Sequence, residues 1–244
     1  MKNNIYFIAL FFLFSVNSFA HFLWIETNTK GKINQKQEVK VFFGEYSYGA
    51  IDKVGEEGFE KVKNFTLWAI SPNGDKIKLE VTPEATFYKT TFTPKVNGTY
   101  TIVLNNNEID VIDYTQYDFG IFKTHYHATA KIEVGEKYAE TVSINPEGIT
   151  IVDVSKKNLK LNDEVVLKIL YKNKPVKDNE VVVFLKNQFN QKIKTDENGL
   201  VKFTLPFATK YIVETTIKEE VSGKYNGKEY QFVFHSATYP IMIE

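Results

Sequence analysis

The pattern that most limits what this chain can become is a long succession of short β-branched and aromatic runs. Each is closed by a turn cluster, and helical periodicity is scarce. In the first half, Phe22–Thr27, Glu38–Tyr46, Asn64–Ile70, Lys76–Val81, Thr86–Phe92 and Gly98–Leu104 read as strands, and a longer one runs from Phe119 to Val134. Ser71-Pro72-Asn73-Gly74-Asp75 is a turn, because Pro fixes φ and the Asn-Gly step accepts positive φ. Ile51–Lys63 crowds Gly, Glu and Lys and reads as a loop or short helix. The polar and breaker-rich stretch Gly135–Gly148 reads as a linker. A second series follows it: Thr150–Val154, Glu164–Tyr171, Glu180–Leu185, Leu200–Leu205, Lys210–Lys218 and Tyr230–His235. Spacing of this kind predicts an all-β chain of two immunoglobulin-like or transthyretin-like β-sandwich domains, 21–142 and 143–244, after a leader at 1–20. The segment Thr195–Phe203 is similar to a turn of transthyretin-like sandwich domains, which is a mark of fold and not of chemistry.

Composition narrows the chemistry. There is no Cys, which removes thiolate nucleophiles, Cys-ligated zinc, iron–sulfur clusters and type-1 copper together. Every basic residue is Lys, so the bidentate Arg clamp for phosphate or carboxylate is missing. The 30 basic and 30 acidic residues balance, which gives no reason to expect nucleic acid or an anionic membrane as partner.

The amino terminus has the grammar of a secretory signal: a basic start at Lys2, an apolar run from Ile5 to Val16, and Ser18 and Ala20 before a cut. The run is shorter than the roughly 18–20 residues a bilayer span needs. The expectation is a periplasmic or secreted protein whose mature form has no membrane span. Cleavage after Ala20 makes His21 the first residue. A free α-amine and the imidazole Nδ1 of one residue close a chelate ring on a metal, and both nitrogens deprotonate near neutral pH. Such donors suit Cu, Ni and Zn rather than Ca or Mg. One such residue supplies half a site.

Three more histidines could supply the rest, out of four in 244 residues. His125 and His127 are two apart in a strand and share one face. The other face of that strand holds Phe122, Tyr126, Ala128, Ala130, Ile132 and Val134 and is the core face. The pair is therefore expected on the polar side, either as ligands or as solvated side chains. His235, in Phe234-His235-Ser236-Ala237-Thr238, has aromatic strand neighbours and reads as a ligand or a buried histidine. Packing of the two halves would let a seam site gather His21, His125, His127 and His235. Most acids alternate with Lys on solvated faces; Glu26 and Glu45 stand closest to the motifs of interest. No nucleophile elbow, phosphate loop or dinucleotide fingerprint is present, and no hydrolase or transferase is expected.

Ala20-His21-Phe22-Leu23-Trp24-Ile25-Glu26 resembles the start of the domain-of-unknown-function family 4198. The likeness continues through Phe43-Gly44-Glu45, Gly98-Thr99-Tyr100, His125–Ala128 and His235–Thr238. The resemblance implies an exported two-domain sandwich related to periplasmic components of nickel and cobalt uptake. It also implies a metal at the mature amino-terminal histidine and a membrane transporter as partner. On that reading the ion is Ni(II), with Cu(II) or Co(II) as competitors, and the protein is a binder and not an enzyme. Two other readings stay open: a copper-dependent oxidative enzyme with a histidine brace, and a structural or adhesive sandwich without metal.

Overall fold

The structure is a computed structural model that describes residues 21–135, 145–156 and 159–243. The signal segment 1–20 and the 142/143 boundary lie outside the described residues. Thirteen strands carry the fold. In the first half they are β1 (Phe22–Thr27), β2 (Gln37–Glu45), β3 (Thr66–Ile70), β4 (Tyr88–Phe92), β5 (Gly98–Asn106) and β6 (Gly120–Val134). The second half has β7 (Ile149–Asp153), β8 (Glu164–Tyr171), β9 (Glu180–Leu185) and β10 (Phe189–Lys194). It continues with β11 (Leu200–Thr204), β12 (Lys210–Glu219) and β13 (Phe232–Met242). The Gly- and Glu-rich stretch after Ile51 forms one helical turn, Glu57–Glu60.

The two halves are joined by one sheet. Its order is β10-β9-β12-β13-β6-β5-β3, ending on the short strand Lys76–Lys78. The join is a parallel pairing of β6 with β13 in which Phe122–Ala128 lie beside Phe232–Thr238. A second sheet, β1-β2-β4, covers the first half, and a third, β7-β8 with β11 against β8, covers the second.

Pleat alternation explains how one sheet serves two sandwiches. On β6, Ala128, Ala130, Ile132 and Val134 meet Leu23, Ile25, Val39 and Val41 of the covering sheet. The opposite face of β6 turns to β7: the Thr129 hydroxyl donates to the Ile151 carbonyl at 3.4 Å, and Lys131 pairs with Asp153 at 3.3 Å. Across the join, Ala237, Tyr239 and Ile241 of β13 pack with Ile149, Ile151 and Leu167.

β1 is apolar on both faces for the same reason. Leu23 and Ile25 enter the first core, while Phe22 and Trp24 enter a third cluster with Phe42, Tyr46, Phe184 and Ile212. The run Phe22-Leu23-Trp24-Ile25 is thus a strand clasped between the halves, and all four residues are buried.

Candidate functional site

His21 sits immediately before β1. Phe22 is opposite Gly44 in the β1–β2 ladder, so one step further along His21 comes opposite Glu45. The imidazole Nε2 lies 3.4 Å from Asp52 Oδ1, and the ring packs against Phe43 at 5.5 Å. The His21 carbonyl accepts a hydrogen bond from the Tyr126 hydroxyl at 2.9 Å. Two residues on, the Leu23 carbonyl accepts one from Thr238 at 2.8 Å. Both carbonyls therefore point away from β2 toward β6 and β13. Asp52 engages Nε2 and leaves Nδ1, the nitrogen that pairs with the α-nitrogen in a chelate ring.

Acids surround this end of β1. Glu45 is buried, its Oε1 accepts from Ser47 at 3.3 Å, and its Oε2 is buried without a hydrogen-bond partner. Glu214 of β12 is also buried, and its Oε1 accepts from Ser236 at 3.0 Å. Burial first and the Glu45 charge second push the Glu214 carboxyl up to about 7, against the lowering effect of the Ser236 hydrogen bond. Burial, reinforced by the Glu214 charge, raises the Tyr126 phenol.

The other three histidines lie across the sheet. Tyr126 projects toward His21, and His125 and His127 project from the opposite face of the same strand. The four histidines expected to meet at one seam therefore fall into two groups separated by β6 and β13. His125 and His235 are register partners with rings 5.0 Å apart and edge-on. His235 Nε2 is 3.0 Å from Glu219 Oε2, and Tyr171 packs against the His235 ring at 5.4 Å. His127 Nδ1 is 2.6 Å from Asn105 Oδ1, and its Nε2 is 3.3 Å from the Thr150 hydroxyl. Both of its nitrogens are occupied, and it is 2 % exposed. The polar, solvated setting expected for the pair does not hold for His127. β7 covers that face, which makes it an interior surface. Burial lowers His125 and His127 to about 4, and it also lowers His235 against the raising effect of Glu219.

Asn105, Asn107, Glu147 and the three histidines line a cleft of about 190 Å³. A larger groove of about 890 Å³ runs past Glu26, Lys40, Lys131, Asp153 and Lys210 and has no histidine in its wall. Its charges are largely paired, as in Lys40–Glu38 at 3.0 Å and Lys131–Asp153 at 3.3 Å, so it reads as a solvated channel. Glu26 belongs to this groove. It accepts from the Trp24 indole at 3.0 Å and pairs with Lys210. Among the described residues no three His, Asp or Glu side chains converge into a ready metal cage. A metal at His21 would therefore need the α-nitrogen as one of its donors.

The sequence profile of one family, described as a domain of unknown function (DUF4198), matches residues 18–219. The chain belongs to the DUF4198 family. The match spans His21, the acids Glu45, Asp52 and Glu214 beside it, and His125 and His127, and it stops before His235. No curated protein matches this DUF4198 chain. Solved structures of Salmonella alpha-2-macroglobulin, in a mutant and a methylamine-reacted form, align with TM-scores of 0.31 and 0.30 at 10 % identity, covering 93 % of this chain and 15 % of theirs. Escherichia coli alpha-2-macroglobulin activated by porcine elastase aligns at TM-score 0.30 and 11 % identity, over 92 % of this chain and 20 % of its own. The DUF4198 chain thus spans a small fraction of those proteins.

Sequence reasoning missed Asp52, Tyr126, Glu214 and Ser236. Glu214 carried one usable signal, a lone acid in the apolar run Tyr211-Ile212-Val213-Glu214.

Proposed function

We propose that the exported protein captures a divalent transition-metal ion, Ni(II) first and Co(II) or Cu(II) as competitors, at the processed amino terminus of His21, and supports its uptake by a membrane transporter. The observation that carries this reading is the Asp52 contact on His21 Nε2. It orients the imidazole with Nδ1 available beside the α-nitrogen. The donors present suit such an ion: two nitrogens of intermediate softness and the buried Glu45 Oε2, which has no hydrogen-bond partner. A bound divalent cation would supply the positive charge that this acid-rich end of β1 lacks. Asp52 would act as an outer partner that fixes the ring, a role whose loss typically weakens binding about 10–100-fold.

Titration calorimetry of the chain beginning at His21, against the same chain with one Gly added in front, tests this. The extended form is expected to bind Ni(II) about a hundredfold more weakly, because the chelate ring loses its amine. Equal affinities would refute the reading. His125→Gln, changed on the far face of the sheet, is expected to leave the affinity as it was. The copper-oxidase reading is disfavoured because a histidine brace needs a third nitrogen, and the remaining histidines lie across the sheet. Reductant-dependent peroxide production by the copper-loaded protein would revive it.

A further inference from the structure

The two buried acids next to His21 form a receptor, and its occupant can be argued from the backbone. In an extended chain the N–H and C=O of one residue project to the same side. The carbonyls of His21 and Leu23 reach Tyr126 of β6 and Thr238 of β13. Tyr126 stands beside Ser236 in the β6–β13 ladder, and Ser236 donates to Glu214. The start of β1 therefore lies over the β6–β13 ladder beside the Ser236–Glu214 pair, with Glu45 opposite it in the β1–β2 ladder. Among the described residues no lysine or histidine is in ion-pair range of either acid, and Glu45 Oε2 has no hydrogen-bond donor at all. A buried acceptor left without a donor is costly in general, and Ser47 and Ser236 supply one hydroxyl to each acid but no positive charge, so a cation is missing from this pocket.

We infer that the missing cation is the α-ammonium of His21, created when the leader is removed, and that Glu45 and Glu214 hold it as a maturation lock. Before cleavage the position holds a neutral amide with one N–H, and the two acids repel each other. After hydrolysis of the 20–21 peptide bond by a processing peptidase and water, the new amine takes up a proton. It then offers three donors to two carboxylates. The lock ties the start of β1 to both halves at once, since Glu45 belongs to β2 and Glu214 to β12. This inference shares with the proposed function the assumption that His21 is the first residue, and it uses the same α-nitrogen and Glu45 in the absence of metal. When a metal takes the amine, the ion replaces the ammonium proton as the positive charge.

The test is made on the full mature chain in the presence of a chelator, so that no metal contributes. Thermal unfolding is compared for the chain beginning at His21 and the chain with one Gly added in front, each with Glu214 and with Glu214→Gln. The lock predicts that the added Gly lowers Tm by roughly 5 °C with Glu214 present and by much less with Gln, since the two changes remove one interaction. An undiminished penalty in the Glu214→Gln background would overturn it. If that variant fails to fold, acylation of the α-amine in the unaltered mature chain decides. Labelling slower than that of exposed lysines by more than about tenfold supports a buried ammonium, and labelling as fast as theirs overturns it. The lock can fail in chelator while Ni(II) still binds, or hold while Ni(II) does not bind, so the two readings fail separately.

Discussion

His125 and His127 show how far a residue-scale reading goes. Strand alternation places them on one face, and they are there. Nothing in Thr124–Ala128 says that β7 covers that face, because the partner strand comes from another part of the chain. The same limit hid the split of the histidines into two groups, which follows from the parallel β6–β13 pairing. That pairing has a measurable consequence at these residues. Burial depresses His125 and His127 from 6.5 to about 4. Between those values the unfolded chain binds protons that the folded chain does not, so their contribution to stability is complete above about 6.5 and is lost as pH falls toward 4. Glu214, raised to about 7, acts in the opposite sense over this range, but three lowered histidines outweigh it, so urea midpoints measured from pH 7.5 to 4.5 should fall with pH. His127→Asn, which does not titrate, should reduce the slope by at most about 1.4 kcal/mol per pH unit. It should also cost stability at pH 7, because it gives up the bonds to Asn105 and Thr150. A slope identical to that of the parent would mean that His127 titrates normally in the fold.

At the scale of elements, most strands could be read from their runs: β1, β8 and β9 begin and end where the β-branched and aromatic runs do. Two misreadings have physical causes. β13 continues through Pro240 to Met242, well past the end read at His235. β6 pairs with β13 only as far as Thr238, so Pro240 lies where the strand has β12 on one side alone. β10 was missed because Phe189–Lys194 is a polar edge strand with little apolar signal. β1 is the element on which the rest depends. Trp24 stacks on Phe42 at 5.4 Å and meets Phe22 and Tyr46 edge-on. Trp24→Ala is expected to cost about 3–5 kcal/mol, as large buried aromatics do, read from a urea melt followed by far-UV circular dichroism. A loss below about 1 kcal/mol would show that the cluster between the halves is loosely packed. The turn after β2 has its own constraint. Gly44 holds φ at +147°, and a Cβ there would meet the Ala50 carbonyl oxygen at 2.4 Å. Gly44→Ala should displace the Glu45 segment and destabilise the fold by roughly 1–3 kcal/mol, while an equivalent change at Gly74, where a Cβ meets nothing, should cost only the strain of its positive φ.

In the whole molecule the seam between the two halves is a continuous sheet. Each half has its own core, which was legible from the two series of strands, but the central sheet runs through both. The β6–β13 ladder is the seam, and β1 is clasped from either side by the first core and by Phe184 and Ile212 of the second half. Separating the halves would expose the edges of β6 and β13 and the aromatic cluster around Trp24, a cost comparable to unfolding a domain of marginal stability. The halves are therefore expected to unfold together. The chain offers a way to see it, because both tryptophans, Trp24 and Trp68, belong to the first half. Trp24 also faces Phe184 and Ile212 of the second half, so the fluorescence of Trp68 in a Trp24→Phe chain reports the first half alone, and amide hydrogen exchange in β8 and β9 reports the other. Urea midpoints from the two probes should coincide, with one m-value scaled to the full chain. Two resolved midpoints would show that one half melts while the other stands, parting the shared sheet, and that His21, held between the halves, is released by such an opening.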